Sequence, residues 1–315
     1  MKAKYILKGI IKNVPGIEFL YQFNKNTGGS GSARYCYSVW LRHLIFAYKN
    51  GLTSVPKAIA ELGPGDSLGC GIAALISGAE QYYPLDVKMY SKIEENLKIF
   101  DELVILFKER TDVPHEIEFK EVRPLLENYD FPTHIFTEEY LKQILNEKRL
   151  CNIRNAIKMM DTPDYRGRII EYKVPWYEKT IIENESLDFI FSQAVLQDVK
   201  DLEFTYQRIW QLLKKDGLQS HDIGFKSCGT SDTWWGHWMY SDLEWKIVNG
   251  RKKQRINREP YSTHKRLLKK NNFKILFEQK RFAESKINKE RLPIRFKSMT
   301  DEDLTTYSVF IQAKK

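Results

Sequence analysis

The chain has 315 residues, of which 50 are Lys or Arg and 41 are Asp or Glu, so its formal net charge is +9. Apolar residues make up 42% and charged residues 29%, which is typical of a soluble globular protein whose core needs no metal or disulfide staple. No apolar run approaches the roughly 18 residues of a spanning helix, and the first 20 residues lack a signal-peptide pattern, so we expect a soluble cytoplasmic protein.

Residues 1–54 are expected to form a helical extension ahead of a domain at 55–315. An amphipathic stretch at 5–23 leads to a polar segment at 24–32 (NKNTGGSGS), which is typical of a mobile loop. Residues 35–48 are apolar almost all round, and this pattern predicts a buried helix.

From residue 58 onward, apolar strand patterns alternate with helical ones. The predicted strands are 58–62, 81–87, 168–174, 186–192, 218–225, 273–282 and 305–314. The predicted helices between them are 67–77, 201–213 and 262–270. Such alternation predicts an α/β, doubly wound, mostly parallel Rossmann-like sheet of seven strands, with a helical insertion at 89–165 and a second insertion at 226–260 over the strand tips.

The first strand runs into a glycine turn, Gly63-Pro64-Gly65, and then into a helix. This is the nucleotide-binding arrangement of a doubly wound sheet, because residues without a β-carbon let the backbone turn sharply and approach a ligand. Asp86 comes at the tip of the second strand, where a carboxylate accepts hydrogen bonds from both hydroxyls of a ribose.

The spacing favours S-adenosylmethionine over a dinucleotide. Leu68 occupies the slot where a pyrophosphate site needs a small residue. Glu61 adds a negative charge that repels a pyrophosphate and attracts an amine and a sulfonium. Two alternatives stay open: an NAD(P)-dependent enzyme on the same unit, and a turn that serves packing only.

Several segments together resemble class I S-adenosylmethionine-dependent methyltransferases. They are the motif at 61–65 (ELGPG) with Asp86, the strand at 187–192 (LDFIFS), the helix end at 212–217 (LLKKDG) and the strand at 220–223 (SHDI). The resemblance implies that the last two strands form an antiparallel hairpin. It also implies that Gln193 contacts the cofactor and that Val174 and Trp176 form walls of an adenine site.

Residues 37–44 (YSVWLRHL) resemble a subgroup found in bacterial surface-polysaccharide gene sets, which implies polysaccharide biosynthesis and a sugar or glycan precursor as the acceptor. One departure stands at 197–199 (QDV), where many members of the family carry an acidic residue and a histidine before the valine.

For methyl transfer to a hydroxyl, a general base near neutral pH is useful, and histidine suits that task. His221 lies on the fifth predicted strand near the cleft end, with its neighbour Asp222 expected on the opposite face. A structural histidine is the alternative for His221. Asp198, just after the fourth predicted strand, is a second candidate for the base.

The segment 233–240 (TWWGHWMY) is rich in aromatic residues. One interpretation is a lid in which His237 and Trp238 contact the acceptor, with Arg258 binding an anionic group on it. Stacked core aromatics are the other. The basic run at 251–258 is typical of a solvated face, although an anionic substrate, a membrane surface or a nucleic acid would also suit it, and a non-catalytic nucleic-acid-binding protein is the third hypothesis.

The four cysteines are widely spaced, so we expect reduced thiols, and no carboxylate–histidine cluster indicates a metal. The sequence leaves the oligomeric state open.

Overall fold

The computed structural model describes residues 2–13, 30–162, 168–178, 182–249 and 256–315. Its strands are β1 (Ala58–Leu62), β2 (Gln81–Leu85), β3 (Leu187–Gln193), β4 (Leu213–Gly224), β5 (Lys274–Phe282) and β6 (Thr306–Lys314). They form one six-stranded sheet in the order β2-β1-β3-β4-β6-β5.

The first four strands of this sheet are parallel, and the last two are not. β1 pairs in parallel with β2 and β3, and β3 pairs in parallel with β4. β6 lies antiparallel between β4 and β5. The predicted α/β architecture, with a mostly parallel sheet and an antiparallel C-terminal hairpin, is confirmed.

Two strand predictions need correction. The segment predicted as a strand at 168–174 forms only isolated parallel bridges, Ile170 with Tyr82 and Lys173 with Leu85, so the sheet has six strands instead of seven. It still lies beside β2, where a seventh strand would. The other correction concerns β4, which begins at Leu213 and not at residue 218, so Gly217 lies inside the strand.

Helices cover both faces of the sheet. In the described ranges they are α1 (Lys2–Asn13), α2 (Ala33–Lys49), α3 (Gly69–Ile76), α4 (Ile93–Lys108), α5 (Glu138–Ile144), α6 (Glu147–Lys158), α7 (Leu202–Leu212), α8 (Asp242–Asn249), α9 (Tyr261–Lys270) and α10 (Asp301–Thr305). On one face, α2, α3 and α4 share a core with Phe189 and Phe191 of β3. On the other face, α7 and α9 share a core with Ile190. Successive β3 residues therefore point to opposite layers, as a doubly wound sheet requires.

The buried helix predicted at 35–48 corresponds to α2. Trp40 packs edge-on against Phe189, with ring centroids 6.0 Å apart, and against Phe191 at 5.5 Å. Arg42 is fully buried and donates to the carbonyls of Pro114 and Pro124. α2 therefore shares a core with the sheet, although the predicted boundary at 54/55 assigns it to a separate extension.

The two segments predicted as insertions contain helices that pack against different neighbours. Within 89–165, α4 and α6 pack near α3, while in 226–260 the helix α8 packs on α1. A β-carbon at Gly9 of α1 would lie 2.2 Å from the carbonyl oxygen of Ile247, so the glycine permits this close approach. Among the described residues, no helix combines the length and apolar character that crossing a membrane requires.

Candidate active site

The glycine turn after β1 has the backbone that its residues predict. Gly63 has a φ of 62° and Gly65 a φ of 75°, the left-handed region that L side chains rarely adopt. A β-carbon at Gly63 would lie 2.8 Å from Cγ2 of Val195 in the loop after β3. Pro64, between the two glycines, is buried. The turn therefore needs glycine both for its conformation and for its contact with the neighbouring loop.

The later glycines serve helix packing. A β-carbon at Gly69 would lie 2.3 Å from Sγ of Cys36 on α2, and one at Gly71 would lie 2.0 Å from the ring of Tyr82 on β2. α3 can thus lie against both elements. The amide of Leu68 donates to Oδ1 of Asn96 at 2.8 Å, which fixes the start of that helix.

Glu61 is a buried carboxylate at the end of β1, only 4% exposed. Its Oε2 accepts a hydrogen bond of 2.6 Å from the hydroxyl of Tyr82. Burial raises the pKa of Glu61 to about 7, even though the hydrogen bonds from Tyr82, the amide of Gly71 and the thiol of Cys70 act to lower it.

Asp86 follows β2 and lies beside the glycine turn. Its Oδ1 accepts from the amide of Val87 at 2.6 Å, and the amides of Lys88 and Gly65 also bond the carboxylate. Burial still raises the pKa of Asp86 above its usual value. No Lys or Arg of the described ranges forms an ion pair with Asp86 or Glu61, so within these ranges no cation neutralises the two carboxylates that flank the turn.

The segment beside β2 brings the predicted adenine walls toward Asp86. The amide of Trp176 donates to the carbonyl oxygen of Asp86 at 3.0 Å, and the Trp176 ring packs near Phe204. Val174, two residues earlier in the same segment, is 37% exposed. Both residues therefore lie next to the end of β2.

A buried polar network joins the ends of β3 and β4, and the sequence did not indicate it. Nε2 of Gln193 donates to Oδ2 of Asp222 at 2.8 Å, and Oε1 of Gln193 lies 3.2 Å from Nε2 of His43. Nδ1 of His43 lies 2.6 Å from Oγ of Ser220. Burial raises the pKa of Asp222 to about 7 and lowers that of His43 to about 4. Within the described residues, Oδ1 of Asp222 has no hydrogen-bond partner.

Four of these polar residues lie at the carboxyl ends of the parallel strands. Glu61, Gln193 and Asp222 stand near the ends of β1, β3 and β4, and Asp86 directly follows β2. Because parallel strands end at the same edge of a sheet, the four residues form one group along that edge.

His221 does not join that group, which corrects its predicted cleft-facing position. Its ring is fully buried, with Nδ1 2.7 Å from Oγ of Ser192 and Nε2 3.0 Å from Oε1 of Gln219. Burial lowers the pKa of His221 to about 3. Because strand residues alternate, it is Asp222 that faces α2 and Gln193, while His221 faces the opposite core layer. Asp198 has an exposed side chain in the loop after β3, where its amide donates to the carbonyl of Val195.

The aromatic segment is packed inside the protein, against the lid interpretation. Trp238 is fully buried and His237 is 1% exposed. Arg258 is 2% exposed, and its guanidinium donates to the carbonyl of Tyr240 at 2.8 Å and to Oδ1 of Asp242 at 2.6 Å. These three residues hold the second insertion together and are closed to an acceptor.

The basic run predicted at 251–258 lies largely outside the described residues, since 250–255 are not described. Asn257 donates its side-chain amide to the carbonyls of Leu196 and Val199, so it braces the loop after β3. Arg258 is the basic residue of this run that the structure describes, and it is buried.

No protein-family model and no curated protein matches the chain. Solved structures resemble it in fold at low identity. An S-adenosylmethionine dependent methyltransferase from Mesorhizobium loti is 14% identical with a TM-score of 0.41, over 86% of this chain and 96% of that one. A SAM-dependent methyltransferase from Methanosarcina mazei is 13% identical with a TM-score of 0.44, over 85% and 96%. The phosphoethanolamine N-methyltransferase 2 of Haemonchus contortus, in complex with S-adenosyl-L-methionine, is 14% identical with a TM-score of 0.45, over 96% of this chain and 60% of that one.

Proposed function

We propose that this chain is an S-adenosylmethionine-dependent methyltransferase. The observation that carries the proposal is the glycine turn at Gly63 and Gly65, flanked by the buried carboxylates of Glu61 and Asp86, neither of which has a cationic partner in the described residues. Both carboxylates accept hydrogen bonds within the protein, but a buried negative charge without a nearby cation still costs free energy. A ligand with a cationic amine and a sulfonium supplies the positive charge, and its ribose diol donates further hydrogen bonds.

Each part of the cofactor has candidate residues in this chain. The turn at 63–65 leaves room for close approach, Glu61 supplies negative potential for the amine end, and Asp86 accepts from ribose hydroxyls. Val174 and Trp176, beside Asp86, are the candidate walls of the adenine site. When bound, the cofactor supplies a methyl group on a positively charged sulfur.

We place the acceptor beside the Gln193–Asp222 pair, at the ends of the adjacent strands β3 and β4. Gln193, which the family resemblance assigns to the cofactor, is here assigned to the acceptor side. A carboxylate with a pKa near 7 has a suitable affinity for the proton that an acceptor hydroxyl loses. Gln193 holds Oδ2 of Asp222 and leaves Oδ1 to receive that proton. We therefore infer methyl transfer to oxygen with Asp222 as the base, in place of His221 or Asp198. A small molecule or a glycan precursor is the proposed acceptor.

Calorimetric titration with S-adenosylhomocysteine tests the cofactor assignment. We expect binding by the unmodified chain and an affinity loss of about 1–3 kcal/mol in Asp86→Asn, the scale of a lost hydrogen bond to a charged group. Asp101→Asn, on the exposed face of α4, is the matched control and should bind normally. Absence of heat with the homocysteine analogue, together with binding of NAD(P), would show a dinucleotide enzyme instead.

A further inference from the structure

Cationic side chains gather just beyond the Asp222 carboxylate. Nζ of Lys226 lies 2.7 Å and a guanidinium nitrogen of Arg281 lies 3.0 Å from the same oxygen, Oε2 of Glu121. The strand register puts Arg281 in line with Ser308 and Gly224, two residues beyond the row that contains Asp222.

Arg123 is the third cation, and it is 6% exposed. Its Nη1 donates to the carbonyls of Lys120 and Val122, whereas its Nε has no partner among the described residues. The positive charges of Arg123, Lys226 and Arg281 all act on Asp222, lowering a pKa that burial raises. Two buried polar atoms without partners, Arg123 Nε and Asp222 Oδ1, thus belong to one charged cluster.

The cluster carries more positive than negative charge. Arg123, Lys226 and Arg281 contribute three positive charges, and Glu121 and the ionised Asp222 contribute two negative charges, which leaves one positive charge in excess. An anionic group on the acceptor neutralises this excess, and a phosphate ester is such a group. Arginine also suits phosphate because its planar fork can donate two parallel hydrogen bonds.

We propose that the acceptor is a phosphate ester, with its phosphate bound among Arg123, Lys226 and Arg281 and its hydroxyl group at Asp222. The assignment of Asp222 to the hydroxyl rests on the proposed function, whereas the phosphate site stands on the cations alone. The rows of Asp222 and Arg281 are two residues apart along the strand, or about 7 Å. The phosphate and the methylated oxygen of the acceptor are therefore separated by several bonds.

Inorganic phosphate is the probe for this site, titrated calorimetrically into the chain saturated with S-adenosylhomocysteine. We expect phosphate binding in the millimolar range or tighter, and a dissociation constant at least tenfold higher in Lys226→Gln and in Arg281→Gln. Lys280→Gln is the matched control, because Lys280 neighbours Arg281 along β5 but forms its ion pair with Glu302 of α10. It should bind phosphate normally. Thermal unfolding of each variant checks that the fold is retained.

Different results would overturn the methyltransferase assignment and the phosphate site. Normal binding of S-adenosylhomocysteine, with no phosphate binding or equal binding in all variants, would overturn the phosphate site and leave the methyltransferase standing. Phosphate binding that depends on Lys226 and Arg281, without binding of the homocysteine analogue, would overturn the methyltransferase assignment and leave the phosphate site standing. Phosphatidylcholine vesicles containing phosphatidic acid, added as a competitor, identify the source of the ester. Displacement of phosphate supports a lipid phosphate, and retained phosphate supports a soluble ester.

Discussion

The hydroxyl of Tyr82 donates a 2.6 Å hydrogen bond to Oε2 of Glu61, and the ring of the same tyrosine lies against Gly71. One side chain of β2 therefore sets both the charge state of the candidate cofactor site and the position of the helix that follows the glycine turn. The two roles can be separated by substitution, because one depends on the hydroxyl and the other on the ring.

The charge of Glu61 should make cofactor binding depend on pH. Its pKa is about 7, so the ionised form that attracts a cationic amine increases as the pH rises from 5.5 to 8. We expect the affinity for S-adenosylhomocysteine to rise over that interval, and the rise to move to higher pH in Tyr82→Phe, which loses a hydrogen bond that lowers the pKa. Calorimetry at several pH values measures both effects.

Glu61→Gln is the control for that experiment. The substituted side chain cannot ionise, so this variant should bind S-adenosylhomocysteine more weakly at pH 8. Its affinity should also rise much less with pH, because only the contribution of Asp86 remains. A profile that is equally steep in Glu61→Gln would show that another group controls the affinity.

The ring of Tyr82 explains why Gly71 cannot carry a side chain. A β-carbon there would lie 2.0–2.3 Å from three ring carbons, so α3 or β2 must shift in Gly71→Ala. Overpacking of this kind costs about 1–3 kcal/mol of unfolding free energy. Gly31→Ala is the matched control, since a β-carbon at Gly31 meets nothing within 4 Å. Urea unfolding measures both, and equal stability of the two variants would contradict the packing described here.

The sequence predicted those features of the fold that depend on residues close together in the chain. The parallel strands, the glycine turn and the position of Asp86 all follow from strand periodicity and from residues without β-carbons. The choice between His221 and Asp222 as the candidate base does not follow from such local patterns, because it depends on which face of the sheet α2 covers. Gln193 was expected from the family resemblance, but its bond to Asp222 exists only through the pairing of β3 with β4.

The aromatic segment shows the same limit. The composition of this segment fits both a lid and a buried core. The contacts of Arg258 distinguish the two, because they hold the segment inside the protein. This residue lies between the rings of Trp245 and Phe296, at 4.7 and 4.9 Å from their centroids. Arg258 is the last residue of the basic run and is distant in sequence from Phe296, so no local pattern indicated that contact.

His221 should affect the pH dependence of stability. Its pKa is about 3 in the folded chain and about 6.5 when unfolded, so at pH 5 the unfolded state binds about one proton more than the folded state through this group. The stabilisation is complete above pH 6.5 and is lost as the pH falls toward 3. In His221→Gln, the slope of unfolding free energy against pH should decrease by about 1.4 kcal/mol per pH unit near pH 5. An unchanged slope would mean that His221 titrates normally in the folded protein, as an accessible base would.

Arg258 should contribute to stability and not to acceptor binding. Arg258→Ala removes the bond to the Tyr240 carbonyl, the ion pair with Asp242 and the contacts with two rings, and we expect a loss of about 2–3 kcal/mol in unfolding free energy. Arg266→Ala is the matched control, because Arg266 is exposed on α9 and should change stability little. Affinities for S-adenosylhomocysteine and for phosphate, measured on the folded fraction, should stay unchanged in both variants. A folded Arg258→Ala with normal stability and weakened phosphate binding would instead return Arg258 to the acceptor site, in place of the cluster around Arg281.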